Sequence, residues 1–127
     1  MKLPMLLLSL LTVTAMASDV LADPVPVTHT SKRPYRPEKN YCNGYVFRMP
    51  PQGENIACYN HDACYADPQG MSREDCDRAF LEDLRRAGLG ASALVKYRAV
   101  RFWGEKSWNR SRDKDRRQAE RRLKMTQ

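Results

Sequence analysis

The 127-residue sequence has no apolar run of the length a membrane-spanning helix needs, about 20 residues, and only 42% of its residues are hydrophobic. A polytopic membrane protein is excluded. So is an enzyme built around a large buried cavity, since a chain this short closes one small core at most. Histidine is scarce, with two residues, glycine has six and cysteine four. Acidic residues are outnumbered, 15 against 22 Lys and Arg, which gives a net charge of +7 and a pI near 9.5.

The longest apolar stretch, Leu6 to Ala17, is twelve residues long and follows Lys2. Small-residue patterns come after it at Ala15-Met16-Ala17 and Val20-Leu21-Ala22. This is the pattern of a secretory signal peptide over residues 1–22, cleaved after Ala22, with Ala17 as the other candidate position. Cleavage removes Lys2 and Asp19 together and leaves the charge at +7. Export, to the extracellular space or a periplasm, means an oxidising destination in which cysteines pair with each other.

Residues 23–40 carry Pro24, Pro26, Pro34 and Pro37 without helical periodicity and read as an extended arm, in which His29 is solvated. A helix is predicted from Glu54 to Ala66, ending before the turn Asp67-Pro68-Gln69-Gly70. Ser72 reads as the N-cap of a second helix, with Glu74 and Asp75 in its first turn and Gly88 as its C-cap. Asp77, Phe80, Leu81 and Leu84 recur at three- and four-residue spacing and form its buried stripe. A third helix is predicted from Ala91, with Leu94, Tyr97 and Phe102 partly on one face, stopping at Gly104. The expected fold is all-α, a small disulfide-stapled helical domain over residues 41–104 without a sheet.

Residues 101–127 hold ten basic against four acidic residues, whereas 23–100 hold eleven against ten. The excess charge therefore belongs to a basic tail, 105–127, expected to be a solvated helix or disordered. Phe102 and Trp103 are expected either to cap the third helix against the core or, with Trp108, to ring an interfacial surface.

The chemistry-bearing stretch is Cys58-Tyr59-Asn60-His61-Asp62-Ala63-Cys64-Tyr65, followed by Cys76-Asp77. On a helix Cys58, His61, Cys64 and Tyr65 share a stripe, and Asp62 is turned about 100° from His61. Zinc held by Cys58, His61, Cys64 and Cys76 is one reading, but export argues for oxidised sulfur, and ligands strung along one helix do not close a tetrahedron easily. The other reading is a histidine with a carboxylate partner inside a disulfide frame. Four cysteines allow three pairings. Cys58 and Cys64 on one helix stand about 9 Å apart along its axis, beyond disulfide reach. Two pairings stay open: Cys42–Cys58 with Cys64–Cys76, or Cys42–Cys64 with Cys58–Cys76. If the helices run antiparallel, the first places His61 opposite residue 79, two from Asp77. The second places it opposite residue 73, four from Asp77. The first lies nearer to register.

Cys58-x-x-His61-Asp62-x-Cys64-Tyr65 with the later Cys76-Asp77 resembles the active-site signature of secreted phospholipases A2. The interval from Tyr41-Cys42 to Cys58 matches the family's spacing between calcium loop and catalytic helix. The resemblance spans residues 41–104 and is to short, two-disulfide, bacterial-type members, with two antiparallel catalytic helices. It implies calcium-dependent hydrolysis of the sn-2 ester of glycerophospholipids. His61 is then the general base for the attacking water, a task suited to histidine's ordinary pKa near 6.5. Asp77 holds the other ring nitrogen, and Tyr65 lends its hydroxyl to Asp77. Asp62 is the carboxylate ligand to Ca²⁺, joined by backbone carbonyls of Tyr41, Asn43 and Tyr45. Cys42–Cys58 ties the calcium loop to the helix of His61, and Cys64–Cys76 locks the two catalytic helices together. The loop departs from the family in one respect. Tyr41-Cys42-Asn43-Gly44-Tyr45 has a single, displaced glycine, so Asn43 and Gly44 are expected to supply any left-handed backbone.

The implied partner is a phospholipid surface, anionic in view of the tail, and the chain is expected to act as a monomer. Nucleic acid is not an expected partner, because no reading element accompanies the charge. A non-catalytic basic membrane-perturbing protein on the same fold is the alternative.

Overall fold

A computed structural model describes residues 24–28, 33–44, 48–67 and 69–127; the segment expected to be a signal peptide, His29, Tyr45 and Pro68 lie outside the described residues. Three helices, α1 (Gln52–Ala66), α2 (Arg73–Arg86) and α3 (Ala91–Met125), form an all-helical domain stapled by two disulfides. No strand occurs among the described residues.

Pro51 precedes α1 in an extended conformation, and its carbonyl accepts the first helical bond from Asn55 N–H at 2.9 Å. The helix thus starts two residues before the expected Glu54. At Gly53 a Cβ would stand 3.0 Å from Ala87 Cβ, so the missing side chain lets the two helices close at this end. Glu54 is almost fully buried and meets Lys96 of α3 at 2.8 Å.

α2 begins as expected at Ser72, whose hydroxyl oxygen accepts the Asp75 N–H at 3.1 Å. Such a cap contributes about 1 kcal/mol. It ends with Gly88 N–H bonded to Arg85 O and Leu89 N–H bonded to Leu84 O. That double closure needs a left-handed residue, and Gly88 supplies it at φ 80°. Leu89 then folds back onto the core.

Helix order follows from who meets whom. Cys64 pairs with Cys76, His61 with Asp77, Asn60 with Asp83, and Gly53 approaches Ala87. Rising numbers on α1 meet falling numbers on α2, so the two are antiparallel. α3 returns antiparallel to α2, since Ala93 packs near Leu84 whereas Arg101 meets Asp77. The core is small: Ala57, Phe80, Leu84 and Ala93 are buried, with Leu81, Leu89 and Val100 packed against them. Burying a side chain such as Phe80 or Leu84 stabilises by about 2 kcal/mol, so the disulfides matter in so thin a core.

α3 corrects one expectation and decides between two others. It does not stop at Gly104 but continues to Met125. A glycine inside a helix costs about 1 kcal/mol relative to alanine; here the vacant Cβ position is filled by Tyr65 of α1, whose Oη lies 2.7 Å from it. Beyond it, Arg112–Asp115 and Arg116–Asp113 pairs at i,i+3 spacing support the exposed helix weakly. The tail is therefore helical. Phe102 and Trp103, at 76% and 71% exposure, cap nothing in the core. Residue 102 points away because the inward stripe of α3 runs through Ala93, Val100, Gly104 and Trp108.

The N-terminal arm is pinned at points rather than loose. Val25 is buried, Asn60 Nδ2 donates to Pro26 O at 2.9 Å, and Thr28 N–H donates to Asn60 Oδ1 at 3.1 Å.

Candidate functional site

The disulfides are Cys42–Cys58 and Cys64–Cys76. No free cysteine remains, which removes the zinc reading. Cys64–Cys76 fixes the end of α1 to the start of α2. One turn back along α1, His61 then faces Asp77. His61 Nε2 lies 2.7 Å from Asp77 Oδ1, and the Asp77 side chain is wholly enclosed. The imidazole is nearly buried between the rings of Tyr65 and Phe80, at centroid distances of 4.3 and 4.7 Å. Its other nitrogen, Nδ1, has no protein hydrogen bond among the described residues, so it is available to a water.

Asp77 is the hub. Tyr65 Oη donates to Oδ1 at 2.6 Å, and Arg101 Nη1 donates to Oδ2 at 2.7 Å. Arg73 Nε stands 3.9 Å from Oδ2, an ion-pair distance without a hydrogen bond. Burial alone raises a carboxyl, but the hydrogen bonds from His61, Tyr65 and Arg101 outweigh it and hold Asp77 below its usual 3.8. Burial and the bond to Asp77 push the Tyr65 phenol up to about 12. The Asp77 bond likewise raises the Arg101 guanidinium above its ordinary value.

Asp62 points away from this hub. It is exposed and makes no hydrogen bond or ion pair among the described residues. The surrounding protein withholds enough water to raise its carboxyl above 3.8, while His61 and Lys39 pull it down.

The loop carrying Tyr41 and Asn43 is tied to α1 by Cys42–Cys58 and by Asn55. This buried amide accepts the Tyr41 N–H at 2.9 Å and donates to Lys39 O at 2.8 Å. Tyr41 also stacks on Tyr35 and meets Tyr59 edge-on. Neither Asn43 nor Gly44 has positive φ, so the left-handed backbone expected there is absent; the positive-φ glycines are Gly88 and Gly90. No cluster of three or more His, Cys, Asp or Glu side chains suited to a metal occurs among the described residues. The donors that remain are oxygens: one unpartnered carboxylate and loop carbonyls. That donor chemistry fits a hard cation such as Ca²⁺ and not a softer metal.

The structure thus brings His61, Tyr65 and Asp77 together. It keeps Asp62 on the adjacent face of the same helix and anchors Tyr41 and Asn43 beside the first disulfide; Tyr45 is outside the described residues. Sequence reasoning missed Arg101, Arg73 and Asn55. Arg101 lies 24 residues from Asp77, and nothing local marks it among the basic residues of α3. The opposite, outer face of α3, between Phe102 and Arg121, includes none of these residues.

Compared with protein-family models, with curated proteins and with solved structures, the chain matches none.

Proposed function

We propose that this chain hydrolyses the sn-2 ester of glycerophospholipids in a calcium-dependent reaction, releasing a fatty acid and a lysophospholipid as a secreted phospholipase A2 of short, bacterial type does. One observation carries the reading: a nearly buried imidazole bonded through Nε2 to a fully enclosed carboxylate at 2.7 Å, with Nδ1 left for water. A purely structural histidine has no need of a carboxylate that also collects a phenol and a guanidinium.

In this reading His61 Nδ1 takes a proton from a water as that water adds to the ester carbonyl. Asp77 opposes the positive charge that develops on the ring and fixes the tautomer. Tyr65, with its pKa near 12, stays protonated and keeps donating to Asp77. His61 then returns the proton to the departing glycerol oxygen. Asp62 with the carbonyls of Tyr41 and Asn43 would hold Ca²⁺, which when bound supplies positive charge beside the ester carbonyl. Two disulfides suit an oxidising, extracytoplasmic destination, and no helix among the described residues is long and apolar enough to cross a membrane.

The decisive experiment is fatty-acid release from phospholipid vesicles by the disulfide-bonded protein, with millimolar Ca²⁺ or chelator, for wild type and His61→Gln. Release that needs both Ca²⁺ and His61 supports the proposal; a folded wild type that releases nothing from any phospholipid refutes it. A second reading, a non-catalytic protein that binds anionic membranes, draws on the exposed Phe102 and Trp103 beside Lys106, Arg110 and Arg117 on the outer face of α3. Vesicle leakage that survives both His61→Gln and chelation favours it.

A further inference from the structure

We infer that Arg101 is a positioning residue of the His61–Asp77 pair, keeping the Asp77 carboxylate turned so that Oδ1 faces the imidazole. The inference rests on the hydrolytic reading of that pair and adds to it a residue from a third helix.

Asp77 has two oxygens and several claimants. His61 and Tyr65 share Oδ1, and Arg101 holds Oδ2 at 2.7 Å. Arg73 waits on the same side: its Nε is buried, has no hydrogen-bond partner, and stands 3.9 Å from Oδ2. The Arg101 guanidinium is what keeps Oδ2 from closing that gap. Without it, a fully enclosed carboxylate loses its nearest charge partner, and rotating toward Arg73 Nε is the available compensation. That rotation draws Oδ1 away from His61.

Arg101 is not needed merely to hold α3 in place. Arg73 Nη2 donates to the carbonyls of Arg101 and Val100, at 2.5 and 3.4 Å. Further along, Ser111 Oγ and Arg112 Nη2 both donate to Tyr65 O, at 2.8 and 2.7 Å, and Trp108 meets the Tyr65 ring edge-on at 5.2 Å. With α3 anchored on both sides of position 101, the hydrogen bond of the head group is spent on Asp77.

The test uses the full disulfide-bonded protein with Arg101→Gln and Arg101→Lys. The first readout needs no activity: the imidazole N–H proton of His61 in the NMR spectrum, assigned by its loss in His61→Gln. It is expected to move in Arg101→Gln and to return toward its wild-type position in Arg101→Lys, which restores a charged donor. The second readout is kinetic. In Arg101→Gln kcat for fatty-acid release falls about 10- to 100-fold, the scale of a slightly misplaced catalytic group, with KM little changed, and Arg101→Lys recovers most of it. An unmoved resonance in folded Arg101→Gln, or a lysine variant no better than the glutamine one, overturns the inference. A wild type without activity whose His61 resonance still responds refutes the hydrolase reading and leaves the positioning role standing. If Arg101→Gln does not fold, Arg101→Met, which keeps the aliphatic stem, carries the same expectations.

Discussion

Tyr65 Oη lies 2.7 Å from the point where a Cβ on Gly104 would stand, so the third helix passes the dyad at a distance only glycine permits. The same hydroxyl donates to Asp77. Gly104→Ala should therefore strain the contact although alanine is the better helix former. We expect a net loss of about 1–3 kcal/mol, the usual scale of overpacking, read as a lowered midpoint in urea denaturation. An unchanged or raised midpoint would mean that the helix preference outweighs the contact.

Replacing His61 by Gln keeps the ring's approximate volume but removes the proposed base. Catalysis should fall by about 10²–10⁴, the usual contribution of a positioned general base, while the circular dichroism spectrum stays that of the wild type. A variant retaining more than a tenth of wild-type turnover would place the base elsewhere.

Asp62 carries the opposite signature. Its carboxyl is raised, so ionisation is disfavoured in the fold, and in calcium-free buffer Asp62→Asn should be at least as stable as wild type. Added Ca²⁺ should raise the melting temperature of the wild type but not that of the variant. Equal calcium shifts in both proteins would remove Asp62 from the ligand set.

Asp77 sets an acid limb of stability. Its folded pKa lies below 3.8, so the stabilisation is present above the unfolded value and is lost as pH falls below about 4 through the lowered folded value. Urea midpoints between pH 6 and pH 2 should decline steeply for wild type in that window. Asp77→Asn should be less stable near neutrality but flatter; parallel curves would contradict the hydrogen-bonding account.

Cys64–Cys76 closes a short loop whose two ends carry the dyad helices. Cys64→Ala with Cys76→Ala should cost about 2–4 kcal/mol and lower activity more than the pair Cys42→Ala with Cys58→Ala lowers it, since the second disulfide sits beside His61 and Asp77. Comparing kcat at a temperature where both variants remain folded checks this ordering.

The parts of the fold that local chemistry dictates were readable in advance. Ser72, Gly88 and the Asp77-Phe80-Leu81-Leu84 stripe act within one helix or one turn, and each appears where the spacing puts it. The His61–Asp77 pair was readable because a disulfide frame and antiparallel packing convert sequence spacing into register. Gly104 misled, since a helix-breaking residue and a close-contact residue are the same letter, and only Tyr65 distinguishes them. Arg101, Arg73 and Asn55 were invisible for a related reason. Their roles come from partners 14 to 28 residues away, and a lone arginine in a basic helix carries no mark of the carboxylate it will meet.

The run of α3 past Arg112 separates two electrostatic neighbourhoods. From Arg101, which meets Asp77, to Asp113 the axis advances about 18 Å, more than two screening lengths of about 8 Å at physiological salt. The six basic and three acidic side chains of residues 113–127 therefore lie beyond effective reach of Asp77. Charge on the far half of that helix can be reversed, neutralised or multiplied, and the ionisation of His61 and Asp77 will not register it.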